Sequence, residues 1–141
     1  MRMRIVLSIA VLTTLPALAG CLPVSPTPAP PITITRDELL ANYQDLSGEP
    51  VLIKGYGIVE AMLPLCEGYT GMDTRRVFVD EARNTIPATL ADIPFEQAFG
   101  SGQLRVFEGI VKEFSGTQGC PGSLAEVTFP YLEITGVREL K

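Results

Sequence analysis

Histidine is absent from the 141 residues, which removes the commonest general base, the Ser-His and Cys-His nucleophile pairs and most zinc sites. The three cysteines form no Cys-x-x-Cys pair, so dithiol redox chemistry has no site. No Gly-x-Ser-x-Gly elbow occurs, and Gly100-Ser101-Gly102 reads as a turn. "GYGIVE", Gly55 to Glu60, begins like a dinucleotide loop but carries Glu60 where the third glycine belongs, inside a strand pattern instead of at a helix start. Basic residues are outnumbered, 11 Lys and Arg against 16 Asp and Glu, and only Arg75 and Arg76 are adjacent, so no clustered charge is available for phosphate and no nucleic-acid partner is expected. The carboxylates Asp80 and Glu81, and Glu67 with Asp73, lack calcium-loop spacing and read as solvated charge. No metal or cofactor is expected. The enzyme class left open is a glycan hydrolase working with carboxylates alone, which needs two facing acids in a cleft.

Long apolar runs are also missing. The longest candidate, Ile5 to Leu18, is broken by Ser8, Thr13, Thr14 and Pro16 and is too short for a good membrane span. With Arg2 and Arg4 before it and small residues after it, it has the charged and apolar regions of a secretory signal. It ends in Leu18-Ala19-Gly20-Cys21. Here the chain resembles the bacterial lipoproteins, whose lipobox is a Leu-small-small-Cys tetrapeptide. The resemblance covers the export segment, residues 1–20 and Cys21. It implies cleavage between Gly20 and Cys21, a diacylglyceryl group on the Cys21 thiol and acylation of the new N-terminus. Two or three acyl chains hold a protein stably on a membrane, where one binds marginally. Leu22 is not the aspartate that favours inner-membrane retention in the enteric members. The expected location is therefore the cell membrane or, in a host with two membranes, the outer membrane, facing periplasm or exterior. Loss of Arg2 and Arg4 with the signal takes the net charge from −5 to −7.

Prolines at 23, 26, 28, 30 and 31 follow. Proline fixes φ and has no amide hydrogen, so residues 21–33 are predicted to form an extended, polyproline-like tether reaching about 40 Å. Residues 34–141 suit one domain with one core. With Cys21 acylated, Cys66 and Cys120 remain as an even pair in an oxidising compartment and are expected to form a disulfide; two buried free thiols are the alternative.

Within the domain, Thr35 and Glu38 have capping-box spacing at the head of "TRDELLANY", a short helix with Leu39, Leu40 and Tyr43 on its apolar side. "VLIKGYGIVE" is a strand bent at its glycines. "RRVFVDE" and "NTIPATL" follow as strands, the second restricted by Pro87 to an edge or a brief pairing, and then "DIPFEQAF" as a short helix. "QLRVFEGIVKEF" sets Leu104, Val106, Ile110 and Phe114 on one face against Phe107 and Val111. In "PYLEITGVREL", Leu132 and Ile134 alternate with Tyr131 and Glu133, and Gly136 is a candidate bulge that turns Val137 inward.

Five strands with a helix between the third and fourth, and a glycine-bent first strand, make the chain mainly β with short helices. This order resembles the OB fold, a small five-stranded Greek-key barrel; a small β-sandwich or another α+β barrel is the alternative. The OB resemblance implies that Cys66 and Cys120 lie in the two loops flanking the ligand face, where the disulfide either preorganises a binding rim or staples loops that lack a core of their own. Tyr69, Phe78, Phe129 and Tyr131 are the candidate aromatic ligand residues near that rim. The expectation for function is a non-enzymatic, lipid-anchored envelope domain binding a protein, glycan or small ligand. A structural or assembly accessory of an envelope complex is the alternative, ahead of the carboxylate hydrolase.

Overall fold

The computed structural model describes residues 29–62 and 64–140. The signal segment 1–20, Cys21 and the tether as far as residue 28 lie outside the described residues. Eight elements follow in order: β1 (Ile32–Ile34), α1 (Arg36–Leu46), β2 (Pro50–Glu60), β3 (Arg76–Asp80), β4 (Thr85–Leu90), α2 (Phe95–Ala98), β5 (Arg105–Gln118) and β6 (Ala125–Arg138). Ile32 and Thr33, assigned above to the tether, belong to β1 and pair in parallel with Val51 and Leu52. The ordered fold thus begins two residues earlier, because β2 offers a free edge that an Ile-Thr-Ile segment fills well.

Helix α1 starts as its sequence directs. The Thr35 hydroxyl accepts from the Glu38 amide at 3.2 Å and the Glu38 carboxylate accepts from the Thr35 amide at 2.7 Å, closing the capping box. Leu39 is fully buried, and Leu40, Tyr43 and Leu46 pack beside it. At Asn42 the backbone leaves helical geometry (φ −127°, ψ 20°) while its side-chain amide donates to the Glu38 carbonyl at 3.0 Å, so α1 is kinked where a side chain competes with the helical ladder.

All six strands share one mixed sheet, and β2, β3, β4, β6 and β5 close into a ring when β5 pairs back onto β2. This is possible because β2 changes partners halfway. Pro50 to Gly55 pair with β5, Gly55 to Glu60 pair with β3, and the register slips between Gly55 and Gly57. A Cβ on Gly55 would stand 2.3 Å from the Phe78 ring and 2.4 Å from the Val79 carbonyl; Gly57 sits at φ +114° with the Ala98 carbonyl 2.4 Å from where its Cβ would be. Only glycine allows both the bend and the close approach. Strand β4 changes partner at Pro87: residues 85–87 pair with β3 and residues 88–90 run parallel to β6, so the proline interrupts neither short ladder. The β5–β6 register slips between Glu108 and Gly109, leaving Thr135 unpaired beside Gly136, and Val137 packs against the core.

Phe78, Phe107, Ile53, Ile58, Ile86, Leu132 and Ile134 fill the ring, with Leu39 of α1 among them. Phe78 and Phe107 meet edge to face, centroids 5.0 Å apart. In β5 the buried face is that of Phe107 and Val111, while Val106 and Ile110 lie half-buried on the other. That face also buries Arg105, whose guanidinium donates to the carbonyls of Gln97 (2.9 Å) and Phe99 (2.6 Å) and ties α2 to β5.

Candidate functional site

Strands β5 and β6 outrun the ring. β2 follows β5 only to Ile110 and β4 joins β6 only at Leu132, so 112–118 and 125–131 pair with each other alone as a two-stranded ribbon. Its turn, 119–124, is fastened to the 61–75 loop between β2 and β3. Cys66 and Cys120 form a disulfide with Cα atoms 6.0 Å apart. Thr70 and Gly119 then exchange two backbone hydrogen bonds, at 3.0 and 3.1 Å. Among their described residues neither loop contributes to the core, and the two ties hold them in place of apolar burial.

Ordering within the 61–75 loop is local. The Tyr69 hydroxyl donates to the Met72 carbonyl at 3.0 Å. Asp73 accepts from the Arg75 amide and takes its guanidinium on both carboxylate oxygens, the closest at 2.6 Å. That guanidinium is the main reason the Asp73 carboxyl is lowered to about 2. Arg76 pairs with Glu60 at 3.0 Å, closing the neck of the loop.

The four candidate aromatics do not form one surface. Phe78 is fully buried and belongs to the core, which corrects its assignment to the rim. In β3 the inward positions are Phe78 and Asp80, because β3 closes the ring with Phe78 facing Phe107. Tyr69, Phe129 and Tyr131 are half-buried. Tyr69 is in the loop; Phe129 and Tyr131 share the ribbon face opposite the core-facing Leu132, with Phe129 across from Phe114 (centroids 5.3 Å) and Tyr131 across from Lys112. Lys112 reaches on to Glu133 at 2.8 Å, and the Glu133 carboxylate is the chief cause of its raised pKa. The opposite ribbon face is polar, with Ser115 and Thr128 hydroxyls 3.0 Å apart and Thr117 bonded to Glu126.

A cleft of about 340 Å³ shares no residue with either tied loop. It opens between the start of α1 and the β3–β4 turn, with Lys54 and four carboxylates on its walls. Three of those are already engaged: Glu38 in the capping box, Asp37 with Arg36 at 3.0 Å, and buried Asp80 with the Asn84 amide at 2.7 Å. Glu81 is left exposed on the cleft wall. Among the described residues, no group of three or more His, Cys, Asp or Glu has the arrangement of a metal site.

Two features carried little signal in the sequence. Arg105 reads as a solvated strand cation until α2 closes over it. Val59, Met62 and Phe99 are exposed apolar residues on separate segments, and half-buried Phe95 packs on Phe99; no run of sequence singles them out.

Ring, ribbon and double tie together define a small, mainly β, disulfide-stapled protein. No protein-family model matches the chain, and comparison with curated proteins and with solved structures found no match.

Proposed function

We propose that the chain is a lipid-anchored, non-enzymatic binding domain of the bacterial cell envelope, an OB-type barrel that holds a protein, glycan or small ligand at the rim formed by its two tied loops. The anchor rests on the lipobox-like Leu18-Ala19-Gly20-Cys21 behind a short apolar segment. The OB reading is supported by the strand order and by the stagger of the ring. A row followed from Glu60 across β3, β4, β6 and β5 comes back at Glu49, eleven residues earlier with the β2 bulge between them, the kind of shear that lets a few tilted strands close on side chains.

The observation that carries the rim is the double tie. A disulfide and a reciprocal backbone pair join two loops whose described residues add nothing to the core; Tyr69 lies in one of them, and Phe129 and Tyr131 stand on the ribbon that leads to the other. Rigidity fixed before binding lowers the ordering cost of binding.

The test has two arms. Replacing Cys21→Ala should abolish palmitate labelling and release the protein from membranes; retained labelling refutes the anchor. A photo-crosslinking residue at Tyr69 or Tyr131 should capture a ligand in intact cells, with capture lost when both Cys66 and Cys120 are changed to Ser. Equal capture from Glu81, on the far cleft, or capture indifferent to the disulfide, refutes the rim.

A further inference from the structure

Strand β5 has a stretch of open edge whose limits are fixed at both ends. The Val111 amide and carbonyl point away from β6, to the Glu49 carbonyl (3.4 Å) and the Gly48 amide (2.8 Å). The Gly119 amide and carbonyl turn the same way and are taken by Thr70 at 3.1 and 3.0 Å. Backbone groups alternate along a strand, so those of Glu113, Ser115 and Thr117 share this edge. No described residue bonds to them, which leaves three amides and three carbonyls free. The Ser115 and Thr117 hydroxyls reach across to Thr128 and Glu126 on β6 and do not cover the edge. The outer edge of β6 is not equivalent, because the same alternation puts Pro130, which has no amide, between Leu132 and Thr128.

We propose that the open edge of β5 takes a short extended segment of another protein as an added strand, with apolar side chains beside Phe114 and Gly116 and a basic one opposite Glu113. The inference deepens the rim reading and rests on it, because one end of the open stretch is the Thr70–Gly119 tie. It does not involve the lipid anchor.

Three observations set the occupant. The first is length. From Val111 to Gly119 the edge spans about 26 Å at about 3.3 Å per residue, and Glu49 and Thr70 already occupy the neighbouring positions at its two ends. A second copy's β5 or β6, each 14 residues long, would overrun both ends. A segment of about five residues that enters and leaves the layer fits between them. The second observation is the chain's own tether. It has proline at 23, 26, 28, 30 and 31, so no run of five from Leu22 to Pro31 carries a full set of amides.

The third is the chemistry of the two faces. Glu113 is exposed and has no cation partner among the described residues, while Lys112 is held by Glu133. A lysine or arginine facing Glu113 supplies the missing charge. On the other face Gly116 has no side chain, and a Cβ there would have only the Phe114 ring within 4 Å, at 3.7 Å. Ring and bare backbone together form an apolar strip beside the edge, which an apolar side chain on the added strand covers. Main-chain hydrogen bonds then supply the affinity and alternate side chains the selectivity, as strand addition does generally.

The probe is acetyl-Lys-Val-Thr-Val-Lys-amide, whose pattern reads the same in both directions, so either orientation sets a lysine opposite Glu113 and valines beside Phe114 and Gly116. In the 15N-labelled full-length protein in detergent, the peptide should shift the Glu113, Ser115 and Thr117 amides saturably and slow their exchange with solvent, while Thr128 on the β6 edge stays unmoved. The same peptide N-methylated at every residue keeps its side chains, loses its amide hydrogens and should not bind. Changing both peptide lysines to glutamate should weaken binding about fivefold in the parent and much less in Glu113→Gln. No saturable shift, equal shifts on the β6 edge, equal binding of the methylated peptide, or a lysine preference unchanged in Glu113→Gln overturns the inference. Amides at 113, 115 and 117 that stay unmoved, while crosslinkers at Tyr69 or Tyr131 capture a ligand in a disulfide-dependent way, overturn the added strand alone. Capture indifferent to the disulfide refutes the rim, and the inference with it.

Discussion

Removing the disulfide with Cys66→Ser and Cys120→Ser together measures how much of the fold depends on the tied loops. The bond links residues 54 apart in sequence. In the chain-entropy model, closing a loop of that length removes about 4 kcal/mol of unfolded-state freedom. The core of the folded state should change little, because both cysteines lie outside it, while the rim loops, left with the Thr70–Gly119 pair, loosen. The loss therefore falls on the unfolded side of the equilibrium. For a domain of this size it corresponds to a fall in Tm of about 15 °C. Urea unfolding followed by far-ultraviolet circular dichroism should show a lower midpoint with a native baseline close to the parent, and a slope at least as steep, since the unlinked chain exposes more surface. A midpoint within about 1 kcal/mol of the parent would refute the reasoning, since it would mean that the loops are already confined in the unfolded chain or that native strain cancels the gain.

The glycine bend in β2 admits no side chain. Gly55→Ala would drive a methyl to 2.3 Å from the Phe78 ring and should cost about 3 kcal/mol by chemical denaturation, as overpacking in a closed core does; a loss under about 1 kcal/mol would mean that the ring yields there. The Asp73–Arg75 pair makes a pH prediction. Asp73 falls from 3.8 to about 2 in the folded state, so its stabilisation is fully present above the unfolded value and disappears as pH drops from about 4 through 2. Its side chain is 41% exposed, so the effect is below about 1 kcal/mol. Asp73→Asn should flatten this part of the acid limb of stability against pH; parallel curves for the two proteins would contradict the pairing.

Local signals in the chain were sufficient for local structure. Thr35 and Glu38 announce the start of α1 because a capping box needs only residues three apart. Gly55 and Gly57 mark the bend in β2 because a strand interior otherwise selects against glycine. Leu132 and Ile134 alternate with polar neighbours, and both are buried. The pairing of Cys66 with Cys120 followed from counting cysteines once Cys21 was assigned to the lipid.

What tertiary structure alone decided were the choices between equivalent faces and between distant partners. Strand β5 is apolar on both sides, so its sequence periodicity could not say that Phe107 and Val111, not Val106 and Ile110, would turn inward; closure against β2 and β6 settles it. Phe78 is a candidate rim aromatic by sequence, although aromatics of a small barrel more often fill its core, and only the ring places it against Phe107. Strand β1 is too short to declare itself and exists because β2 leaves an edge beside it. The loops tied at Cys66 and Cys120 join residues 54 apart in the chain, and Arg105 is buried only once α2 folds against β5. Such contacts form only where the fold makes the loss of chain entropy worthwhile, and no pattern within a window of sequence records that balance.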